Sequence, residues 1–535
     1  MPKTLDIRLK SKPYKKILCL CCIILSALIF YTVNATRNGL WYDEAVEYFY
    51  SKYMTGPVPG GLGTSNMFER IRITYQPPLY NVLMFIWLKV FDSEFAFRFA
   101  GVLVTVIGSI GVFMAINEIL PDGIWSYLGT LFYLFSYGTV YYALECAEYN
   151  LMLCCIAWTL YFFYRLQHKR NIRSTVGFLV FSCLSIYSQY GAAFIIGGMA
   201  LSLLLSFIHD KDYKQLKIYL LSGIISVLFV ILPLVVFFLI PQMNNQEGTV
   251  LSHKLFFARG LFVDFFAGGY EVAKAMFGQY IVIFVLILLM LCLPSIILKP
   301  GKMIFSVISL AFAWITYFFA VCSSFYGNKV WDTDSTGSMN LGGRYSYFFI
   351  PAIVIFIFIG LGELADLIKE KKESIANILA ASLALCIILS CTYEICRTSS
   401  NSIHKNDDDV RELVSVWYDR ELFNSRTLLF QWDDALFNFY LTHDNRYQES
   451  FSKSVKATGK WIRTADYNEM REKLADMGCL TVSDFYYVTS NTKDNPNFLS
   501  VMKNEGYVEE TIFSGESRLI RFTRQNRLRS STQDT

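Results

Sequence analysis

Apolar runs of membrane-spanning length dominate the pattern of hydrophobic and polar positions over most of the chain. The run 279–298 illustrates the type: it carries no charged residue, and about 20 apolar residues cross the hydrocarbon core of a bilayer. Runs of this kind lie at 16–33, 97–119, 123–143, 149–166, 175–190, 191–208, 217–240, 279–298, 302–325, 343–366 and 374–396. The pattern predicts an all-α polytopic membrane domain with about 11 transmembrane helices.

The short apolar segment 77–91 decides the predicted topology, because about 15 residues are few for a span. If 77–91 does not cross, the basic clusters at 165–173, 211–217, 299–302 and 369–372 all join the basic N-terminus in the cytoplasm, as the positive-inside rule requires. If it crosses, those four clusters lie outside. We therefore expect an interfacial or re-entrant helix at 77–91, in a multi-pass protein of the plasma (cell) membrane. The N-terminus is then cytoplasmic and the C-terminal domain extracytoplasmic.

Residues 397–523 differ in composition from the rest, with ordinary charge density and alternating helix and strand signals. Helices are predicted at 410–417, where Asp407–Asp409 could provide the cap, at 435–443, capped by Asp433, and at 498–505; strands are predicted at 427–431, 480–488 and 518–522. This indicates a small extracytoplasmic α/β domain, followed by a disordered tail at 524–535. Residues 1–396 form the predicted membrane domain, and the first outer loop, 34–96, carries its interfacial helices.

Composition agrees with a membrane protein and gives no reason to expect a nucleic-acid partner. Hydrophobic residues make up 54% of the chain and charged residues 17%, while the net charge is only +4. Most of the 13 cysteines lie inside apolar runs, where a free cysteine acts as a small hydrophobic residue. The cysteines therefore predict neither a disulfide framework nor a metal site.

An acidic pair, Asp43-Glu44, follows Trp41 and Tyr42 at the start of the first outer loop. The pair could simply form a helix N-cap, since Asp is favoured there, and the local sequence by itself favours that interpretation. It could also provide a carboxylate that acts as a base, and the two roles are compatible.

Two other places combine charge with a helix end. Glu145 and Glu148 lie in a short turn between two apolar runs, and they form either a solvated turn or a functional pair, since burying them is costly. Arg344 lies where a predicted span begins. It could anchor the helix at the lipid headgroups, or bind a phosphate through its planar guanidinium group.

These motifs follow one another in a characteristic order. They are Asp43-Glu44, Pro77-Pro78-Leu79-Tyr80, Glu94-Phe95-Ala96-Phe97-Arg98, the turn with Glu145, Ser188-Gln189-Tyr190, and Arg344-Tyr345 with Pro351. Over roughly residues 15–370 this order resembles the GT-C membrane glycosyltransferases, in particular the protein mannosyltransferases and the aminoarabinose lipid A transferase. In that family the first outer loop folds into helices at the membrane surface.

The resemblance implies a role for each matching residue. Asp43 is the expected catalytic base, Glu44 its neighbour, and Glu145 a second acid at the mouth of the site. Arg344 and Tyr345 are expected to contact the phosphate of a polyprenyl-phosphate sugar donor. The supporting residues are expected to be Trp41, Tyr42, Gln76, Glu148 and Tyr190.

The chain departs from the family pattern where histidine or arginine is usual. Gln76 stands before Pro-Pro and Gln189 before Tyr190, in place of histidines, and the second loop reads Glu145-Cys146-Ala147-Glu148-Tyr149 where relatives often have Glu-Ala-Arg-Pro-Tyr. These changes weaken the case for a metal site. No cofactor is assigned, and a divalent metal is left open although no cluster of ligand residues is seen.

The residue types suit transfer of a sugar with inversion. A carboxylate can remove the proton of an acceptor hydroxyl as it attacks, and a cation can stabilise the phosphate that leaves on the opposite face. The transferred sugar is expected to be a hexose or pentose. The acceptor stays open between glycan, lipid and protein, and membrane lipids surround the site. The loop 241–278 could shape the acceptor site or form a plain amphipathic surface helix.

Two other classes of membrane protein are alternatives. A secondary transporter has a similar number of helices, but it usually shows internal repeats and broken or polar helices at mid-membrane. A flippase of lipid-linked glycans would share a lipid pocket without needing an essential carboxylate. A membrane-anchored interaction module is the least specific alternative, with the 139 residues after Cys396 as the interacting part.

Overall fold

The computed structural model describes residues 13–56, 67–73, 76–121, 123–244, 260–322, 344–400, 409–430, 434–458, 465–490 and 495–525. These residues form two compact units. The first, here called the membrane unit, comprises Met1–Ala35, Ile71–Trp87 and Phe95–Asn401; the second, here called the sheet unit, comprises Thr36–Arg70, Leu88–Glu94 and Ser402–Thr535. The contacts therefore group most of the first outer loop with the C-terminal residues, whereas the sequence-based division assigned the loop to the membrane domain.

Each predicted span corresponds to helical structure in the membrane unit. Within the described ranges, eight helices are long and apolar enough to cross a membrane: Lys16–Asn34, Glu94–Ile119, Ala192–His209, Tyr213–Asn244, Ile281–Leu298, Met303–Cys322, Arg344–Lys369 and Glu373–Ser400. The other predicted spans are the helices Tyr149–His168 and Ile172–Ser188, and a pair, Ile124–Leu134 and Tyr137–Ala143, separated by two residues. The all-α polytopic fold predicted from the sequence is confirmed, with a span count close to that expected.

The segment 77–91 forms a short helix, Leu79–Leu88, of 10 residues. At 1.5 Å per residue this helix is about 15 Å long, roughly half the thickness of the hydrocarbon core. It is therefore too short to span, which agrees with the interfacial or re-entrant helix expected from the charge pattern. The orientation of the two termini that follows from it remains a prediction.

The ends of two membrane-unit helices are joined by Arg98, one of the motif residues. Its side chain is 3% exposed, and Nη1 donates to the carbonyl oxygen of Ala35 at 2.9 Å. Ala35 follows the helix Pro13–Asn34, whose last carbonyls have no partner within the helix. Arg98 thus fixes the point at which the chain leaves the first helix for the outer loop.

The helix Tyr213–Asn244 contains two π-helical turns, Val227–Ile231 and Val235–Leu239, on either side of Pro233. Proline has no N–H to donate and crowds the preceding turn, so the wider turns accommodate it without ending the helix. The helix therefore continues to Asn244 and brings Gln242 to its end.

The C-terminal part of the sheet unit is the predicted α/β fold. Its five strands are β1 (Thr427–Leu429), β2 (Val455–Ala457), β3 (Asp484–Ser490), β4 (Tyr507–Ser514) and β5 (Ser517–Arg524), in the order β2-β1-β3-β5-β4. Strand β1 is parallel to β2 and β3, whereas β5 is antiparallel to β3 and β4. The helices are Val410–Asp419, Asp434–His443, Tyr467–Asp476 and Pro496–Asn504. Strands β2 and β4 and the helix Tyr467–Asp476 were not predicted.

Asp409 is the N-cap residue of the helix Val410–Asp419, at the position predicted, but its side chain does not cap the helix. Its carboxylate accepts instead from the backbone N–H of Ser517 at 3.0–3.1 Å. The hydrogen bond attaches the helix start to strand β5. Asp407 and Asp433, the other predicted capping residues, lie outside the described residues.

Candidate functional site

Asp43 lies in the first turn of the helix Tyr42–Lys52 in the sheet unit, but it is not the N-cap. The N-cap is Trp41, and the Glu44 carboxylate accepts from the backbone N–H of Trp41 at 3.1 Å. Glu44 is fully buried, whereas Asp43 is partly exposed. The capping role expected for the acidic pair therefore belongs to Glu44, which acts as the glutamate of a capping box. Asp43 occupies the position before it.

The far end of the same helix is held by Asp92. Lys52 Nζ lies 2.6 Å from one carboxylate oxygen of Asp92, and the Tyr48 hydroxyl donates to the other at 2.8 Å. His443 Nε2 lies 3.1 Å from the Tyr48 hydroxyl oxygen, within hydrogen-bonding distance. Burial alone would raise the pKa of Asp92, but hydrogen bonds from His443, Lys52 and Tyr48 outweigh it and hold that pKa well below its usual range. The helix that carries Asp43 is thus fixed by charge as well as by its cap.

A second acid, Asp434, lies close to Tyr42 in the sheet unit. It begins the helix Asp434–His443, where its Oδ1 accepts from the backbone N–H of Ala435 at 2.7 Å. Asp434, Asp43 and the guanidinium group of Arg70 all lie within electrostatic range of the Tyr42 hydroxyl. Burial raises the pKa of Asp434 to about 7, and backbone hydrogen bonds, together with the charge of Arg70, offset only part of that rise. No pattern in the sequence points to Asp434, because it is about 390 positions from Asp43.

The raised pKa of Asp434 leads to a prediction about stability. An unfolded aspartate has a pKa of about 3.9, so between about pH 4 and 7 the folded protein holds a proton that the unfolded chain has lost. Folded-state stability therefore falls as pH rises through this window. At pH 8 we expect the backbone amides of the helix Asp434–His443 to be better protected from hydrogen exchange in Asp434→Asn than in the wild-type protein. At pH 4 we expect no difference. Hydrogen exchange of peptides from this helix measures the effect.

Asp444 provides the control with the opposite sign. Hydrogen bonds from Arg446 lower the pKa of Asp444, so its carboxylate stabilises the fold above about pH 4. Asp444→Asn should therefore reduce protection at pH 8. If both substitutions change exchange in the same direction, the burial argument for Asp434 fails.

In the membrane unit, the turn that contains Glu145 and Glu148 is buried. Their side chains are 2% and 8% exposed, which is inconsistent with a solvated turn. Glu148 is the N-cap residue of the helix Tyr149–His168, near the positive end of the helix dipole. Carboxylates are costly to bury, and in membrane proteins buried carboxylates usually mark functional positions.

Arg344 and Tyr345 lie beside this turn. Both interact electrostatically with the Tyr149 hydroxyl, as do Glu145 and Glu148, so four of the residues predicted from the sequence lie within electrostatic range of one side chain. The guanidinium carbon of Arg344 lies 5.6 Å from the ring centre of Tyr345, and the Arg344 side chain is exposed. The membrane unit therefore brings together two acids and an exposed cation at one end of its helices.

Aromatic packing explains why these residues meet. The rings of Tyr142 and Tyr149, on either side of the turn, are 4.5 Å apart. Tyr142 also packs edge-on against Tyr347 at 4.9 Å, and Tyr347 belongs to the 3₁₀ turn Arg344–Phe349. Burying these rings fixes the Arg344 turn against the Glu145 turn, although the two are about 200 positions apart in the chain.

Gln76 and Tyr190 form a separate group in the membrane unit, joined by Gln242. The fully buried Gln242 accepts from the Tyr190 hydroxyl at 2.9 Å, and its Nε2 donates to the carbonyl oxygens of Ile71 and Gln76 at 3.1 and 2.8 Å. The side chain of Gln76 donates to Asn81 at 3.2 Å. Gln242 was not selected from the sequence, where it is one polar residue after a span. Only its burial and its three partners identify its role.

Replacing Gln242 tests this connection. Gln242→Leu should lower the stability of the membrane unit by about 1–3 kcal/mol, because two carbonyl oxygens and one hydroxyl each lose their hydrogen bond to Gln242. Tyr190→Phe removes only one of the three hydrogen bonds and should cost about 1 kcal/mol. Thermal unfolding of the two variants in nanodiscs gives the comparison, and equal losses would contradict the assigned role of Gln242.

The described ranges contain no group of three or more His, Cys, Asp or Glu side chains that could hold a metal ion.

The candidate site residues predicted from the sequence lie in three groups. Trp41, Tyr42, Asp43 and Glu44 are in the sheet unit. Glu145, Glu148, Arg344 and Tyr345 all interact electrostatically with Tyr149 in the membrane unit. Gln76 and Tyr190 are both hydrogen-bonded to Gln242.

Comparisons with known proteins give the fold a context. The sequence model of the family described as dolichyl-phosphate-mannose-protein mannosyltransferase matches residues 75–237, which is less than half of the chain. No curated protein sequence matches the chain. Two crystal structures of ArnT from Cupriavidus metallidurans are similar in fold. The one bound to undecaprenyl phosphate has a TM-score of 0.57 at 13% identity, and the apo form has 0.55 at 12%. Each alignment covers 94% of this chain and 97% of ArnT.

These similarities bear on the expectation drawn from the motif order. The matched segment, 75–237, includes the Pro77–Tyr80 motif, the Glu145 turn and Tyr190, and the structural similarity extends over both units. The chain is an integral membrane protein with the GT-C fold, and its resemblance to the protein mannosyltransferase and ArnT group of glycosyltransferases is confirmed.

Proposed function

We propose that this protein is a glycosyltransferase that moves a monosaccharide from a polyprenyl-phosphate donor to an acceptor at the outer face of the membrane, with inversion. The observation that carries the proposal is the buried pair Glu145 and Glu148 beside the exposed Arg344, in the fold of ArnT. ArnT has been crystallised with undecaprenyl phosphate. A polyprenyl-phosphate donor is therefore a reasonable substrate class for the same fold.

Arg344 and Tyr345 are proposed to bind the donor phosphate. A phosphate leaving group carries its negative charge away with the lipid, so it requires charge stabilisation more than protonation. The guanidinium group of Arg344 provides two parallel N–H donors for that purpose, and its exposed position at a helix start suits a lipid whose tail stays in the bilayer.

Asp43 is proposed to be the base. An acceptor hydroxyl is a weak nucleophile. As its oxygen forms the new bond to the anomeric carbon and the bond from that carbon to the donor phosphate breaks, the carboxylate takes up the hydroxyl proton. Attack on the face opposite the phosphate inverts the anomeric carbon. Glu44 closes the helix cap, so the capping role does not fall to Asp43, the member of the pair that is proposed to serve the reaction.

Glu145 is proposed to be a second acid that orients the sugar or acceptor hydroxyls. Its carboxylate is buried beside tyrosines, where hydrogen bonds to a sugar hydroxyl are stronger than in water. Trp41, Tyr42, Gln76, Glu148 and Tyr190 are proposed to support these residues.

The direct test measures the fate of the donor. Purified protein in nanodiscs is incubated with undecaprenyl-phosphate sugars, each radiolabelled in the sugar, together with cell-envelope extract. We expect loss of sugar from the lipid and gain of label in one envelope fraction, matched by a glycan that disappears from the mass spectrum of cells without the protein. A flippase or transporter would move the lipid across a vesicle membrane with its sugar–phosphate bond intact, and that outcome would overturn the proposal.

A further inference from the structure

A cavity of about 540 Å³ lies in the membrane unit, apart from the residues assigned so far. This volume is in the range of small-molecule sites, about 300–1,000 Å³. Its walls are formed by the end of the helix Leu261–Phe277, the start of the helix Ile281–Leu298 and the end of the helix Glu373–Ser400, with contributions from Tyr137 and Tyr347. The loop 241–278, whose role the sequence left open, thus provides part of a cavity.

Tyrosines form much of the lining. Tyr280 and Tyr393 pack edge-on with ring centres 6.0 Å apart, and their side chains are 73% and 39% exposed. Tyr137 and Tyr347 lie on the inner side, where the Tyr347 hydroxyl donates to the carbonyl oxygen of Ala275 at 3.0 Å. Tyrosine combines an apolar ring face with a hydrogen-bonding hydroxyl. Four such side chains suit a ligand that has apolar C–H faces and many hydroxyl groups.

The charged residues of the lining balance one another. Glu394, which is 1% exposed, accepts two hydrogen bonds of 3.1 Å from Arg397 Nε, and the guanidinium group of Arg397 lies over the Tyr137 ring at 4.5 Å. Glu271 and Lys274 complete the set on the opposite helix. Two acids and two bases leave the cavity formally neutral, which favours an uncharged polar ligand over a phosphate.

The cavity adjoins the Glu145 turn. Glu145 lies within electrostatic range of Tyr137 and Tyr347, and both tyrosines line the cavity. A ligand held there would therefore be close to the buried carboxylate to which the proposed function gives a role in orienting hydroxyls. Arg344 is not among the residues that line the cavity, so the residues proposed to bind the donor phosphate and the cavity are different parts of this end of the unit.

We propose that this cavity binds a sugar ring of the acceptor, so that the acceptor is a glycan or a glycolipid. The assignment of the bound sugar to the acceptor rests on the proposed function, whereas the affinity of the cavity for a sugar does not. The ring stacks on Tyr280 and Tyr393, and its hydroxyls bond to the charged pair Glu394 and Arg397 and to Glu271.

Photolabelling tests the proposal. The full-length protein in nanodiscs is irradiated with octyl glycosides of glucose, galactose and mannose that carry a diazirine on the sugar, and with an octyl diazirine that lacks the sugar. We expect at least one glycoside to label peptides containing 271–281 or 393–397, and the matching free methyl glycoside to protect them. Labelling should fall about five-fold in the variant Tyr280→Ala/Tyr393→Ala. Phe266→Ala, which changes an equally exposed ring on the helix Leu261–Phe277, should not affect it.

Two results would overturn the proposal. Labelling by the sugar-free octyl probe alone would identify an apolar groove, and protection by undecaprenyl phosphate but not by methyl glycosides would assign the cavity to the donor lipid. Donor cleavage measured in the same preparation separates this proposal from the proposed function. If the donor is cleaved but no glycoside labels the cavity, the transferase proposal stands and the acceptor cavity is rejected. If a glycoside labels the cavity but the donor is not cleaved, the cavity still binds a sugar and the transferase proposal is rejected.

Discussion

Asp43→Asn is expected to reduce sugar transfer by about 10²–10⁴-fold while the protein stays folded and inserted in the membrane. The expected size is that of a general base, whose proton transfer Asn cannot replace. Folding should be preserved because the helix Tyr42–Lys52 is capped through Glu44, whose carboxylate accepts from Trp41, and because Asp92 holds its other end. Turnover of the undecaprenyl-phosphate donor in nanodiscs gives the activity, and thermal unfolding gives the fold.

Two substitutions make the Asp43 result specific. Asp476→Asn changes an exposed aspartate of the sheet unit and should leave transfer unaffected. Glu44→Gln keeps an oxygen that can close the cap, so it should retain much more activity than Asp43→Asn if Glu44 acts mainly in the fold. Near-normal turnover in Asp43→Asn would reject Asp43 as the base. Loss of transfer activity in both Asp43→Asn and Glu44→Gln would indicate that the two carboxylates act as a pair.

Arg344→Ala is expected to raise the donor concentration needed for half-maximal turnover by about 10–150-fold. This range corresponds to the loss of about 1.5–3 kcal/mol, typical of hydrogen bonds to a charged group. The effect should fall on donor binding, because Arg344 is exposed at the start of its helix and its removal leaves the buried rings of Tyr142, Tyr149 and Tyr347 in place. Titration of donor at saturating acceptor measures it.

Arg344→Lys separates charge from geometry. Lysine retains the positive charge but lacks the planar fork, so we expect part of the donor affinity to return. Arg173→Ala, which removes an exposed arginine from a helix start elsewhere in the membrane unit, is the matched control. If donor dependence is the same in Arg344→Ala and Arg173→Ala, Arg344 serves as a headgroup anchor and has no part in binding the phosphate.

Much of the fold could be predicted because the solvent imposes it. Inside a bilayer the backbone N–H and C=O groups of such a segment must hydrogen-bond to one another, because no water is available. An apolar run of sufficient length therefore forms a helix. The limits of the prediction were local. The run 123–143 is divided at Phe135-Ser136 into the helices Ile124–Leu134 and Tyr137–Ala143, a break that hydropathy does not record. The strands β2 and β4 were missed because short strands depend on partners elsewhere in the sheet.

The candidate site was predicted less completely, and the reasons are physical. Motif order pointed to Asp43, Glu145 and Arg344, but it could not distinguish which member of the acidic pair caps the helix, since either residue type suits a first turn. Asp434 and Gln242 gave no local signal, because their significance comes from burial and from partners distant in the chain. The cavity lined by Tyr280 and Tyr393 is likewise assembled from separate helices.

The amino-acid sequence by itself determined that this is a multi-span membrane protein with a small α/β part, because hydropathy, chain length and basic clusters act locally and independently of packing. It also determined the order of polar motifs that resembles the GT-C glycosyltransferases. Only the tertiary structure decided that most of the first outer loop packs with the C-terminal residues, that Glu145 and Glu148 are buried beside Arg344, and that Gln242 joins Tyr190 to Gln76. Those facts depend on tertiary contacts between residues distant in the chain, and the spacing of residues along the chain does not specify such contacts.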